Sequence, residues 1–137
     1  MSGYIFTIDG GAVSWSSKKQ SIVVLSTTEA KYIAAAHAAK EALWLRTFIM
    51  EITRPHTCPV TIYCDNQSAI SVSKKNQFHA RTKHIDICHH FICDAAKKGL
   101  LTILYCPTAE NLADAFTKAL LGPKLDYLRS LMGLHAA

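Results

Sequence analysis

The chain has 137 residues, of which 50% are hydrophobic and 18% are charged, and its formal net charge is +5. This length suits one domain, and the hydrophobic share supports a packed core and excludes a disordered tail. The positive charge favours an anionic partner, and nucleic acid is the first candidate.

The N-terminal segment predicts an antiparallel β-hairpin. Residues 4–8 and 12–16 are rich in β-formers and flank a turn at residues 9–11, where glycine adopts positive φ without steric cost. Residues 22–25 either extend the second strand or begin a third one.

A long helix is predicted next. Ser26 and Glu29 have the spacing of a capping box, and helix-forming residues continue to about Ile52. Apolar residues recur at helical spacing in two stripes, namely Tyr32, Ala36, Ala39 and Leu43, and then Trp44, Phe48 and Ile52. Two such stripes predict a helix that is largely buried.

The remaining chain alternates strands and helices. Residues 60–64 alternate like a strand, and a short helix follows through about Ser73. The pattern then predicts a helix over residues 85–98 that stops at Gly99, and a strand over residues 100–105.

The C-terminal region is predicted to be helical. Thr108 is a suitable N-cap for a helix over residues 109–120, Gly122-Pro123 interrupts it, and a last amphipathic helix carries Leu125, Leu128 and Leu131. The order of elements predicts an α/β fold, a mixed β-sheet flanked by helices, with residues 1–137 forming a single domain.

The cysteines and the N-terminus favour an intracellular protein, cytoplasmic or nuclear, that is not secreted. Five cysteines cannot all pair within one chain, and none of them forms a C-x-x-C motif, which argues against a zinc ribbon and against a disulfide framework. The first residues lack a signal-peptide pattern, and no apolar run approaches the roughly 20 residues that span a bilayer, so no membrane partner is expected.

Three carboxylates stand out by their position. Asp65 lies at the carboxyl end of a predicted strand, Glu29 in the first turn of the long helix, and Asp114 in the helix after the last strand. If they converge, they suit Mg²⁺, which prefers oxygen ligands. Each also has a structural explanation, since Glu29 completes a capping box, Asp65 is a possible N-cap for a helix at Asn66, and Asp114 is spaced to pair with Lys118.

Five sequence blocks resemble one protein family, in the order in which the family has them. They are residues 15–20 (WSSKKQ), 25–30 (LSTTEA), 64–70 (CDNQSAI), 79–87 (HARTKHIDI) and 110–114 (ENLAD), the last followed by 116–118 (FTK). Together they resemble the C-terminal ribonuclease H domain of copia-type retrotransposon polyproteins. The resemblance implies a ribonuclease-H-like fold that hydrolyses the RNA strand of an RNA/DNA hybrid with Mg²⁺, or Mn²⁺ in its place.

The resemblance also implies which residues form the site. Glu29, Asp65 and Asp114 match the second, third and fourth members of the family's acidic quartet, and we expect them to be both catalytic and metal-binding. We assign nucleic-acid contacts to residues in two of the matching blocks, namely Asn66, Gln67, Ser68, Arg81, Lys83 and His84. A basic stretch from Lys74 to His84 fits phosphate contacts, although a solvated loop explains it equally well.

Several departures from the family pattern qualify this expectation. The first acidic residue has no match, because it belongs to a central strand that precedes Ser2 in the family, and Asp9 falls in the hairpin turn. We therefore expect a domain truncated at its N-terminus, with exposed sheet edges that favour a homodimer. Lys31 stands where the family usually has an acid, and Cys88 and Cys93 where it tends to have basic residues.

Three interpretations follow from these departures. The chain is an active nuclease that finds a substitute ligand, or a non-catalytic remnant that binds nucleic acid or another chain, or a fragment whose start lies upstream. The Cys88, His89, His90 and Cys93 cluster lacks the usual spacing of a structural zinc site.

Overall fold

The computed structural model describes residues 1–21, 26–53, 58–74 and 83–135. They form two compact units, which we call the terminal unit, Met1–Val23 with Cys106–Ala137, and the central unit, Val24–Tyr105. The mixed α/β class predicted from the sequence is confirmed. Both pairing types of a mixed sheet occur, an antiparallel pair and a parallel pair, and the described strands place them in two separate sheets.

The hairpin of the terminal unit is built as predicted. Strand β1 (Ser2–Ile8) pairs antiparallel with β2 (Gly11–Lys18). Both turn residues have positive φ, 51° at Asp9 and 79° at Gly10, which gives the backbone the twist that a two-residue hairpin requires. The predicted strand at residues 22–25 lies outside the described residues.

The helix predicted over residues 109–120 is wrong. Two short 3-10 helices, Thr108–Glu110 and Leu112–Phe116, occupy this region, and Pro107 rather than Thr108 precedes the first. Asn111 separates them with an extended backbone, and its side chain accepts a hydrogen bond from the Ala113 N–H at 3.1 Å. This local bond competes with the backbone bonds of a continuous helix, and sequence periodicity does not reveal it.

The last helix, α4 (Gly122–Leu131), carries Pro123 in its first turn, where the missing N–H of proline costs nothing. The helix ends in a Schellman motif, since Gly133 donates to the Ser130 carbonyl and Leu134 to the Arg129 carbonyl. Ala12 of the hairpin donates to the Met132 carbonyl at 3.0 Å. The end of α4 and the hairpin are therefore joined directly.

The central unit packs three helices and a parallel strand pair. Helix α1 (Thr27–Ile52) is followed by β3 (Val60–Cys64), α2 (Gln67–Lys74), α3 (Lys83–Lys97) and β4 (Leu101–Tyr105). Strands β3 and β4 pair in parallel, which requires the crossover that α2 and α3 provide. Its core residues are Tyr32, Ile33, Ala36, Ala39, Ala42, Ile62, Ile70, Ile85, Ile92, Leu101 and Ile103. Each of the larger aliphatic side chains contributes about 1.5–3 kcal/mol by burial.

Helix α1 is buried along one stripe only. Its N-cap is Ser26, as predicted, and its alanine-rich face packs against α3 and β3. The second stripe is exposed. Trp44 and Phe48 stack on the outer surface with their ring centroids 5.4 Å apart, and their exposed fractions are 59% and 45%. The prediction of a largely buried helix is therefore wrong for its C-terminal half. Alanine allows close helix packing, so α3 and β3 cover the alanine-rich face of α1 and leave the second stripe uncovered.

None of the described helices is long and apolar enough to cross a membrane.

Two glycines at helix C-termini, Gly99 and Gly133, allow a matched test of the packing in the terminal unit. Gly99 and Gly133 have φ of 69° and 74°, but a Cβ at Gly99 meets nothing within 4 Å, whereas one at Gly133 lies 2.5 Å from the Gly10 carbonyl oxygen. We expect Gly99→Ala to lower the free energy of unfolding by about 1 kcal/mol through backbone strain alone. Gly133→Ala is expected to cost distinctly more, because the methyl group also displaces the hairpin. Urea unfolding measures both, and equal decreases would contradict this close approach of Gly133 to the hairpin.

Candidate active site

Asp65 is the best-defined member of the predicted site. It follows the last residue of β3 directly, and its side chain is only 6% exposed. Its Oδ1 accepts a hydrogen bond from Lys31 Nζ at 2.9 Å, and the Lys31 side chain is 32% exposed. Lys31 lies in the first two turns of α1, which packs on β3, so this ion pair joins residues 34 positions apart. The sequence singled out Lys31 as a departure from the family but did not reveal its partner.

The residues after Asp65 begin α2. The Asn66 carbonyl accepts the hydrogen bond of the Ile70 N–H at 3.2 Å, as the carbonyl of an N-cap residue does. Asn66 therefore caps α2, which begins at Gln67, and the explanation of Asp65 as an N-cap at Asn66 is wrong. Gln67 and Ser68 are exposed in the first turn of α2. These side chains are accessible to a ligand beside Asp65.

Glu29 lies in the first turn of α1, two residues before Lys31. Its backbone N–H donates to Ser26 Oγ at 3.1 Å, which confirms the cap half of the predicted capping box. Glu29 and Asp65 both belong to the central unit. They sit at elements that pack together, α1 and β3.

Asp114 belongs to the terminal unit, in the second 3-10 helix. Its side chain is 5% exposed, and its Oδ2 accepts from Lys118 Nζ at 3.0 Å. The predicted pairing with Lys118 is therefore present, although the helix that was to carry it is not. The convergence of Asp114 with Glu29 and Asp65 stays a prediction.

The three carboxylates match Mg²⁺ in donor chemistry, because they supply only oxygen ligands. Among the residues that the structure describes, no group of three or more His, Cys, Asp and Glu side chains is placed to hold a metal ion. Both buried carboxylates, Asp65 and Asp114, already have a lysine ammonium at 2.9–3.0 Å. As they stand, these residues do not fit a bound divalent ion.

The expected nucleic-acid contacts are only partly described. Arg81 lies outside the described residues, as does most of the basic stretch between α2 and α3. Lys83 and His84 are the first two residues of α3. Of the six contact residues, Asn66, Gln67 and Ser68 are thus the ones whose surroundings are described.

The cysteine and histidine cluster of α3 forms a core contact. His89 is 3% exposed, stacks on Tyr32 at 6.0 Å between ring centroids, and lies 3.7 Å from the Cys93 sulfur. Burial raises the pKa of the Cys88 and Cys93 thiols, so both favour the neutral form.

Comparison with known proteins shows that the chain is similar to segments of retrotransposon polyproteins. It is 46% identical over 134 residues to the retrovirus-related Pol polyprotein from transposon TNT 1-94 of Nicotiana tabacum, covering 98% of this chain and 10% of that protein. It is 41% and 39% identical over 118 residues to the corresponding polyproteins from transposons RE1 and RE2 of Arabidopsis thaliana, covering 86% of this chain and 8% of each.

The homologues of this chain are thus retrovirus-related Pol polyproteins of plant transposons, and the chain aligns with a segment of each. It spans about a tenth of the length of the curated relatives it matches. No protein-family model and no solved structure matches it.

The reactivity of the thiols tests how far the cysteines of β3 and α3 are buried. Burial raises the pKa of Cys64, as it does those of Cys88 and Cys93, whereas Cys58 is exposed. The thiolate is the reactive form, so we expect Ellman's reagent to modify these three several-fold more slowly than Cys58 at pH 7. Their neutral thiols stabilise the fold below the ordinary thiol pKa of about 8.5, and that contribution is lost as the pH rises through the raised values.

Peptide mapping of native protein at pH 7 and pH 9.5 measures the four rates, with urea-unfolded protein as the control in which they become similar. Modification of Cys64 as fast as Cys58 in native protein at pH 7 would contradict this environment.

Proposed function

We propose that this chain is a ribonuclease-H-like segment of a retrotransposon polyprotein, that its partner is an RNA/DNA hybrid inside the cell, and that it binds the hybrid without cutting it. Homology to Pol polyproteins supports the class of protein. The observation that carries the absence of cutting is the lysine bound to each buried carboxylate, Lys31 to Asp65 and Lys118 to Asp114.

Binding requires little beyond charge and an accessible polar surface. A net charge of +5 favours a polyanion, whose neutralisation releases counterions and makes the affinity fall with added salt. A hybrid is recognised through its backbone shape and its 2′-hydroxyl groups rather than through base edges. The exposed amide and hydroxyl of Gln67 and Ser68 suit such contacts. Further along the chain, Arg81 and Lys83 supply positive charge, and His84 adds to it when protonated.

Hydrolysis of the RNA strand is the second candidate function. In this case Glu29, Asp65 and Asp114 are the catalytic carboxylates and the ligands of Mg²⁺ or Mn²⁺, which would activate water and stabilise the leaving oxygen. The observation that favours it is the position of Asp65 directly after the last residue of β3, because ligand sites of α/β proteins gather at the carboxyl ends of strands.

Hybrid binding is measured by fluorescence anisotropy of a labelled RNA/DNA duplex in EDTA. We expect the affinity to fall linearly with salt on a logarithmic scale, and Arg81→Gln with Lys83→Gln to reduce that slope by about one for each phosphate that is no longer neutralised. Lys97→Gln with Lys98→Gln removes the same charge from two exposed positions at the end of α3 and serves as the control. Equal weakening by the two double variants would show that binding depends only on the net charge of the chain. The absence of any salt-dependent binding would refute the proposal.

Cleavage is measured on the same hybrid with Mg²⁺ or Mn²⁺. We expect the RNA strand to stay intact with the wild-type chain as well as with Asp65→Asn, because Asp65 is held by Lys31. Metal-dependent cutting by the wild type that disappears in Asp65→Asn would establish the second candidate function instead. Cutting that persists in Asp65→Asn would indicate a contaminating nuclease.

We also propose a homodimer through the sheet edges. Each described sheet has two strands, so every strand lies at an edge, and exposed edges recruit further strands. Light scattering is expected to give twice the chain mass of 15.1 kDa at high concentration. Leu104→Lys places a charge on the exposed side of β4 and should shift the protein to monomer, whereas Leu125→Lys on α4, of similar exposure, should not. A monomer at all concentrations would exclude this assembly.

A further inference from the structure

The Lys31–Asp65 ion pair differs from the other ion pairs of the described residues. Those formed by Lys98, Lys118, His90 and Arg129 join residues three or four positions apart in one segment. Lys31 instead reaches from α1 to the end of β3, across the packed interface of the central unit. Its position is therefore determined by tertiary packing.

The two partners are unequally accessible. The Asp65 side chain is 6% exposed and the Lys31 side chain 32%, so the carboxylate is removed from water while the ammonium stays at the rim. A buried carboxylate requires a nearby positive charge, because desolvation of an unpaired ion is costly. A single cation, an ammonium or a metal ion, is enough to meet this requirement at Asp65 Oδ1.

From this geometry we infer that Lys31 is the specificity residue of this site: its ammonium takes the position of a cation at Asp65 and excludes divalent metal ions. A divalent ion bound to Asp65 would lie within a few ångströms of the ammonium, where the repulsion between the two positive charges is strong in a partly buried environment. The inference rests on the second candidate function only in treating Asp65 as the carboxylate that a metal would bind.

The inference is tested by removing the charge from Lys31 and measuring Mn²⁺ binding by titration calorimetry on the full chain. Lys31→Gln keeps a donor for Asp65 without the charge, and Lys31→Met removes the donor as well. Lys98→Gln is the matched control, because it removes the same charge from a surface pair with the exposed Asp94. We expect the wild type and Lys98→Gln to bind Mn²⁺ weakly, and Lys31→Gln to bind it at least tenfold more tightly.

A second change identifies the ligand. The double variant Lys31→Gln with Asp65→Asn should return to the weak binding of the wild type, because the carboxylate has gone. If Lys31→Met is unstable alone, the inference expects Mn²⁺ to raise its melting temperature, since an ion that binds only the folded state stabilises it. Unchanged Mn²⁺ affinity in a folded Lys31→Gln variant would overturn the inference, and so would tighter binding that survives Asp65→Asn.

The outcomes separate this inference from the proposed function. Hybrid binding in EDTA involves no metal, so its absence would refute the proposed function and leave a gain of Mn²⁺ affinity in Lys31→Gln intact. Hybrid binding without any gain in Mn²⁺ affinity would refute the inference alone.

Discussion

The packing of the alanine-rich face of α1 against α3 and β3 is the contact on which the central unit depends. Ala36, Ala39 and Ala42 are completely buried, and their small side chains let the helix approach its neighbours closely. That approach brings the first two turns of α1 beside the end of β3. Lys31 and Asp65 meet there, so the charge arrangement of the candidate site follows from apolar packing some distance away along the helix.

Electrostatics then limits what the site holds. A carboxylate in a region of low dielectric constant needs a compensating charge, and at Asp65 this charge comes from the same chain. Metal ions and lysine ammonium groups are alternative solutions to the same requirement, and they exclude each other because both are positive. In the inference drawn for Lys31, one side chain thus decides whether this position takes part in metal-dependent chemistry, without any change of the fold around it.

The length of the chain relative to its homologues bears on the exposed surfaces. The chain spans about a tenth of the length of the relatives it matches. Among the described residues, the exposed apolar side chains include the stacked Trp44 and Phe48 on α1, and Tyr63 and Leu104 on the parallel strands. Parallel sheets are normally covered on both faces, so the exposure of Tyr63 and Leu104 on β3 and β4 is a departure.

Local sequence patterns determined most of the secondary structure. The hairpin turn, the Ser26 cap, the strands at residues 60–64 and 101–105 and the glycine stop at Gly99 follow from short-range rules of backbone conformation and capping, which act whatever the rest of the chain does. The same kind of rule failed at residues 109–120, because the Asn111 side chain competes for a backbone N–H and periodicity alone does not reveal this.

The sequence by itself also singled out three candidate carboxylates and, by resemblance, the class of polyprotein to which its relatives belong. Only the tertiary structure decided which positive charge lies beside Asp65. The pairing of Lys31 with Asp65 depends on two segments 34 residues apart meeting across a packed interface, and no local pattern encodes such a meeting. The same holds for the apolar stripes of α1, where spacing predicts two buried faces and packing leaves one exposed, because a helix buries only the face that its neighbours cover.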